Sequence, residues 1–202
     1  KYEITSKDTS IQNTVVDLEL GNLFSKSNKH LIVRRLDWWG AYVDVYIYHS
    51  EGETLKPVIQ WKDTVLAYLN DTIKDVNGDG LKDFLIHWYP VSGCCKRDIF
   101  DVYLNQENTD SFSEGYDFTN PTFSPKEKMI RGVEYGHPGE AALYKYKWNG
   151  LQVDTVEFIY PNLSDTIHRH YIRRTQKGEK LLLKSMPEEY KSIDAFYWFD
   201  MY

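Results

Sequence analysis

The nine consecutive residues from Asp75 to Asp83 constrain the fold of this chain more than any other stretch. They read D-V-N-G-D-G-L-K-D, with an oxygen-bearing side chain at every second position from Asp75 to Asp79 and a further carboxylate at the end. Gly80 stands where the chain must turn sharply, which favours a residue without a Cβ atom. Because calcium takes about six to eight oxygen ligands at flexible geometry, the sequence predicts a calcium loop. The alternative is a charged hairpin turn. The predicted ligands are the side chains of Asp75, Asn77, Asp79 and Asp83 and the backbone carbonyl of Leu81.

The residues that flank the loop distinguish it from an EF-hand. An EF-hand loop needs a glutamate at its twelfth position, and counting from Asp75 that position is Ile86. The runs 65–69 and 84–89 are short, apolar and partly aromatic, which is typical of buried strands rather than of helices. The sequence therefore predicts a strand–loop–strand site.

Short apolar runs recur between turn signals along most of the chain, and no long helical pattern interrupts them. This spacing predicts an all-β fold of antiparallel sheets, propeller-like or sandwich-like in arrangement. Near the end, Ser185 is predicted to cap a short C-terminal helix that starts close to Pro187. In the run 41–48 an aliphatic core face alternates with an aromatic, polar one. The core face holds Val43, Val45 and Ile47, and the other face holds Tyr42, Asp44, Tyr46 and Tyr48.

The length of 202 residues fits a single β domain over 1–202 with a substantial core. Within it, residues 56–184 would form the calcium-loop core, and residues 1–55 either complete the same fold or form a subunit of their own. The net charge of −6 argues against a nucleic-acid partner. No stretch reaches the length of about eighteen apolar residues that a membrane-spanning helix needs. The chain begins at Lys1 without a methionine, so we expect an export signal, and with it a lipid anchor, to have preceded it.

A second patch joins the loop in suggesting a family. A turn over 136–139 leads into the aromatic run 143–148 and the W-N-G hairpin 148–150. The loop and the apolar strand after it resemble the calcium loops of FG-GAP and VCBS repeats. Loop, strand and hairpin in this order resemble a bacterial periplasmic family with a small propeller-like β fold. Some members of that family inhibit lysozyme-like effectors of type IV secretion systems. The resemblance covers roughly 60–160, and it implies a calcium-binding protein located in the periplasm, at the cell surface or outside the cell.

Two adjacent cysteines, Cys94 and Cys95, are the only ones in the chain. They are too few for a disulfide framework or a cysteine zinc site. The alternatives are a vicinal disulfide, two reduced thiols on opposite sides of a strand end, and pairing with another chain.

The chain lacks the usual sequence signatures of catalysis. There is no G-x-S-x-G elbow, no P-loop and no G-x-G-x-x-G dinucleotide loop, so we predict a protein that is not an enzyme. Contact with a protein or cell-wall glycan partner is predicted for His137 and Glu140 in a Gly/Pro-framed loop, and the alternative is an ordinary hairpin connection. Trp38 and Trp39 are predicted to form a second contact surface. The alternative for them is core packing, of at most one of the two, because adjacent strand residues face opposite ways. The favoured function is that of an exported, calcium-stabilised protein that binds another macromolecule, and the resemblance implies that it inhibits a cell-wall lytic enzyme. A carbohydrate-binding module is the alternative, and a hydrolase comes third.

Overall fold

A computed structural model gives the fold of this chain. It describes residues 14–63, 66–90, 98–106, 111–134, 141–164 and 169–200, with the backbone only at 66, 67 and 198.

The first sheet has the order β1-β2-β3-β4, and each strand runs antiparallel to its neighbour. Its strands are β1 (Val15–Gly21), β2 (Lys29–Asp37), β3 (Gly40–His49) and β4 (Thr54–Asp63). In β3 the predicted core residues Val43, Val45 and Ile47 are fully buried, while Tyr48 on the opposite face is exposed. The alternation of that strand is thus confirmed, because one face of an antiparallel sheet packs into a core and the other meets solvent.

The second sheet has the order β10-β7-β6-β5. Its strands are β5 (Leu66–Lys74), β6 (Asp83–Pro90), β7 (Ile99–Tyr103) and β10 (Tyr116–Thr119), and a short pair, β8 (Asn105–Gln106) and β9 (Ser111–Phe112), lies between the last two in the chain. Strands β5 and β6 are antiparallel, and Lys74 pairs with Asp83 at the end of their register. The predicted calcium loop therefore connects two strands, as expected, and Phe84, Leu85 and Ile86 after it are buried.

The third sheet has six strands in chain order from β11 to β16. They are β11 (Pro121–Ser124), β12 (Met129–Glu134), β13 (Ala142–Asn149), β14 (Gln152–Pro161), β15 (Tyr171–Thr175) and β16 (Lys180–Leu183). Asn149 pairs with Gln152, so the tight turn is formed by Gly150 and Leu151. Gly150 takes a positive φ of 61° there, which a residue without a Cβ adopts at low cost.

Two short helices follow the third sheet, α1 (Glu188–Lys191) and α2 (Phe196–Asp200). The predicted C-terminal helix is found, but the expected cap at Ser185 is wrong. Pro187 stands at the N-cap position, where its side chain offers no acceptor. Among the described residues no helix has the length and apolar character needed to cross a membrane.

The described residues form two compact units, each with its own core. The first comprises described residues within 1–74, 81–96 and 101–116, and the second those within 75–80, 97–100 and 117–202. Val43, Val45 and Phe84 belong to the first core, and Leu143, Ile159 and Tyr190 to the second. The prediction of an all-β fold of antiparallel sheets is confirmed.

A carboxylate in the first unit accepts hydrogen bonds from two tryptophans. The indole N–H groups of Trp61 and Trp88 both donate to Oδ2 of Asp101, at 2.5 and 3.0 Å. An indole that enters a protein interior needs an acceptor for its N–H, and here one side chain provides it for both.

Candidate functional site

Residues 75–80 of the predicted calcium loop form a turn that is held by the carboxylate of Asp75. Its Oδ1 accepts the backbone N–H of Gly78 at 2.7 Å, and its Oδ2 accepts that of Gly80 at 3.0 Å. A short acidic side chain that binds backbone donors ahead of it in the chain is a common way to fix such a turn. Each carboxylate oxygen has two lone pairs, so Asp75 keeps the capacity to ligate a cation while it holds the loop.

Two glycines give the loop its shape. Gly78 and Gly80 have φ values of 75° and 88°, in the left-handed region that other residues adopt only at a cost. A Cβ on Gly78 would overlap the carbonyl oxygen of Pro125, whereas one on Gly80 would meet open space. The sequence predicted a sharp turn at Gly80. It did not predict the close approach at Gly78, because that contact is made with Pro125, which is distant in sequence.

Asn77 and Asp79 place their side chains next to each other in the same turn. The Asn77 amide donates to Oδ2 of Asp79 at 2.9 Å, and its Oδ1 accepts the Asp79 N–H at 3.1 Å. Asn77 is buried and Asp79 is exposed. Three of the five predicted ligands, Asp75, Asn77 and Asp79, thus lie together in one short turn.

The other two predicted ligands belong to the first unit. Leu81 is half-buried, and Asp83, the first residue of β6, is fully buried. Oδ1 of Asp83 accepts the backbone N–H of Asn105 at 3.0 Å. This carboxylate therefore also has a structural role, since it binds the start of β8.

The described residues contain no group of three or more His, Cys, Asp or Glu side chains placed to hold a metal ion. Three of the five predicted ligands, Asp75, Asp79 and Asp83, are carboxylates, and in this structure they do not form such a group. In the turn itself the oxygens of Asp75, Asn77 and Asp79 are engaged in hydrogen bonds with neighbouring N–H groups. Calcium accepts carboxylate, amide and carbonyl oxygens, so the donor types fit this ion.

The predicted partner-binding tryptophans are both at the surface. Trp38 and Trp39 lie in the turn between β2 and β3 and are 80% and 81% exposed. Oδ1 of Asp37 accepts the Trp39 backbone N–H at 2.7 Å and so fixes the turn. The sequence predicted that at most one of the two is in the core, and neither is. The other predicted contact residues, His137 and Glu140, and the cysteine pair Cys94 and Cys95 lie outside the described residues.

A buried ion-pair cluster in the first unit escaped the sequence analysis. The Arg34 guanidinium binds Asp71 through two hydrogen bonds, from Nε at 2.5 Å and from Nη2 at 2.6 Å. It also contacts Oδ2 of Asp17 at 3.2 Å and Oε2 of Glu19 at 2.8 Å. The Arg34 and Asp71 side chains are 12% and 5% exposed. The sequence did contain a signal for this cluster. Arg34 stands two residues after Ile32 on β2, so it shares a strand face with a core residue.

Tyr68 completes this cluster from the sequence neighbourhood of Asp71. Its hydroxyl donates to Oδ2 of Asp71 at 2.6 Å. Burial and this hydrogen bond raise the pKa of Tyr68 above its usual value. Burial opposes the charge of Arg34, but the hydrogen bonds and the charge of Asp71 outweigh it and raise the Arg34 pKa. Near neutral pH the phenol is therefore neutral and the guanidinium charged.

A second charged network joins α1 to the third sheet. Oε1 of Glu189 lies 2.6 Å from the Lys145 ammonium, and its Oε2 accepts from Arg131 at 3.1 Å. Burial works against ionisation of Glu189, but Lys145 and then Arg131 lower its pKa on balance. Glu157 lies 3.0 Å from Lys145 and accepts the Tyr190 hydroxyl at 2.9 Å. Charges in this network are matched, which is typical of a structural clamp.

Comparison with known proteins assigns no family. No family model matches the chain, and no curated protein matches it. The resemblance to calcium-loop repeats thus stays a prediction from the residues.

Proposed function

We propose that this chain is an exported, calcium-stabilised β protein that acts by binding another macromolecule and is not an enzyme. The observation that carries the calcium part is the turn at 75–80, where the Asp75 carboxylate and two glycines at positive φ hold Asn77 and Asp79 side by side. A turn needs no such concentration of oxygen side chains, whereas a hard cation does.

The proposed ligands are the five that the sequence predicts. Within the turn, Asp75 can ligate through its remaining lone pairs, and so can Oδ1 of Asn77, which accepts the Asp79 backbone N–H. Oδ2 of Asp79 becomes available to a cation when the hydrogen bond from the Asn77 amide opens. Asp83 and the Leu81 carbonyl follow within the same nine residues of chain. Bound calcium would neutralise the carboxylates and fix the connection between β5 and β6. Extracellular calcium modules bind with dissociation constants of about 10⁻⁴ to 10⁻³ M, which suits an exported protein.

Removal of calcium is expected to lower the melting temperature. A ligand present at about a hundred times its dissociation constant stabilises the native state by about 2.7 kcal/mol. For a chain of this size that corresponds to about 5–10 °C. The measurement is thermal unfolding with calcium and with a chelator, together with calorimetric titration of the chelator-stripped protein. In Asp79→Ala the heat of binding and the difference between the two melting curves should both disappear.

The matched control is Asp37→Ala, which removes an aspartate from another tight turn, where Asp37 accepts a backbone N–H. This variant should keep the full response to calcium. No heat of binding to the wild-type chain, or an equal response in Asp79→Ala, would reduce the loop to a charged turn.

The binding part of the proposal depends on the turn that carries Trp38 and Trp39. Two adjacent indoles with four-fifths of their surface in water are costly to expose, and tryptophan is enriched among residues that dominate binding interfaces. Following the resemblance, the favoured partner is a cell-wall lytic enzyme. The second candidate is a glycan, because aromatic side chains at a surface suit sugar rings as well as protein.

Two assays separate these partners. In the first, lysozyme-type enzymes are assayed with an excess of the chain, and in the second the chain is applied to a glycan array. We expect either inhibition of the enzyme or binding to the array. The double variant Trp38→Ser/Trp39→Ser should lose that effect. Because both side chains are exposed, the melting temperature of this variant should stay within about 1–2 °C of the wild-type value.

Leu181→Ser is the control, since it also removes an exposed apolar side chain, at a different site. This variant should inhibit the enzyme, or bind the glycan, as well as the wild-type chain does. An uninhibited enzyme together with no binding on the array would reject both partners. Inhibition or glycan binding that survives in the tryptophan variant would reject the turn as the contact surface.

A further inference from the structure

An open cleft of about 410 Å³ lies in the first unit, between strands β1, β2 and β5. Its wall is partly apolar, formed by Val15, Leu36 and Leu69, and its charged part is the ion-pair cluster around Arg34. On the face of β1 and β2 that carries the buried Ile32, the apolar pair of Val15 and Leu36 stands next to the charged pair of Asp17 and Arg34. The cleft thus combines a surface for an aliphatic group with a surface for a charge.

The charges that line the cleft do not balance. Among the described residues that line it, three carboxylates, Asp17, Glu19 and Asp71, face one guanidinium, Arg34, so these residues carry a formal excess of two negative charges. Asp71 is satisfied, because it accepts two hydrogen bonds from Arg34 and one from Tyr68. The excess is therefore carried by the other two carboxylates.

Asp17 and Glu19 remain accessible. Their side chains are 30% and 46% exposed, and each contacts Arg34 through a single oxygen. They stand two residues apart on β1 and so point to the same face of the strand. In the network around Glu189, by contrast, acids and bases are matched in number.

The chemistry of the cleft favours an organic cation over a metal ion. Among the described residues no three acidic side chains converge on a metal-sized site, and here the guanidinium stands between the carboxylates. An ammonium group has three donors, enough to bind Asp17 and Glu19 together. An aliphatic stem behind it would pack along an apolar wall, as lysine stems do on protein surfaces.

We propose that this cleft binds a primary alkylammonium group, held by the Asp17 and Glu19 carboxylates, with its aliphatic stem against Val15, Leu36 and Leu69. Arg34, itself held by Asp71, keeps the two carboxylates in place through its hydrogen bonds to both of them. The site shares no residue with the calcium loop or the tryptophan turn, and it does not depend on either part of the proposed function.

The test is calorimetric titration at low salt with two probes. N-acetyl-lysine-N-methylamide represents a lysine side chain of a partner, and cadaverine represents a free diamine. Saturable binding is expected, and N-acetyl-norleucine-N-methylamide, which keeps the stem without the charge, should not bind. Tighter binding of the lysine probe assigns the site to a protein side chain, and tighter binding of cadaverine assigns it to a diamine.

Asp17→Asn and Glu19→Gln are each expected to weaken the better probe by about fivefold or more, since each removes one charge next to the ammonium. Glu179→Gln, which removes one charge from an exposed glutamate elsewhere, should leave the affinity unchanged. Glu19, the more exposed of the two acids, provides a variant that keeps the fold, and a melting curve for each variant checks this. No binding of either probe, equal binding of the norleucine probe, or unchanged affinity in both variants would overturn the proposal.

Discussion

Replacing Arg34 by methionine is expected to lower the free energy of unfolding by about 3–5 kcal/mol. Methionine keeps the apolar stem, so the loss comes from the charge. Without the guanidinium, the Asp71 carboxylate, 5% exposed, stays in the interior with the hydrogen bond from the Tyr68 hydroxyl but without its cation. Asp17 and Glu19 lose the same cation. Urea unfolding of the wild-type and variant proteins measures the difference.

The control for this prediction is an ion pair of the same type at the surface. Arg169 lies 3.1 Å from Asp200, with both side chains more than half exposed. Arg169→Met should cost less than about 1 kcal/mol, because water solvates the aspartate that remains. Adding Asp71→Asn to Arg34→Met should recover part of the loss. Equal losses in Arg34→Met and Arg169→Met would show that the buried pair adds nothing beyond a surface contact.

Gly78→Ala is the second substitution from which we expect a large effect. The left-handed conformation costs a residue with a Cβ about 1–2 kcal/mol, and the overlap with the Pro125 carbonyl adds the cost of a forced backbone shift. A loss of more than about 2 kcal/mol is therefore expected from thermal or urea unfolding.

Gly80→Ala separates the two contributions. Gly80 has a similar φ of 88°, but a Cβ there would meet no atom within 4 Å. Its substitution should cost only the conformational part, about 1–2 kcal/mol. If both glycine variants lose the same free energy, the contact with Pro125 is not a constraint on the loop.

The sequence predicted the strands well where the alternation of side chains was strong. In β3 it separated Val43, Val45 and Ile47 from the opposite face correctly. It did not predict that Asp44 on that opposite face is buried. This burial depends on Arg35 of the neighbouring strand, whose Nη2 lies 2.7 Å from Asp44 and whose guanidinium lies over the Tyr42 ring. Such a pair follows from strand register, which a single sequence does not specify.

The candidate sites differ in the same way. The loop at Asp75 was found because its oxygen side chains lie close together in sequence, and local spacing is enough to suggest a cation. The cluster of Arg34 and Asp71 joins residues from β2 and β5, and Glu189 meets Lys145 from another part of the chain. Contacts of this kind arise when distant elements pack, so each residue alone reads as an ordinary surface charge.

The two indoles that share the Asp101 carboxylate give the first unit an intrinsic optical reporter. On unfolding, Trp61 and Trp88 exchange this acceptor and their packed surroundings for water, so their emission shifts to the red. Trp148, which is buried in the second unit, responds to the unfolding of that unit, while the exposed Trp38 and Trp39 change little. Coincidence of transitions at different probes is the standard test of a two-state process. The second unit also contains Trp198. With both Trp148→Phe and Trp198→Phe, fluorescence therefore reports on the first unit, and circular dichroism on the whole chain tells whether both units unfold together.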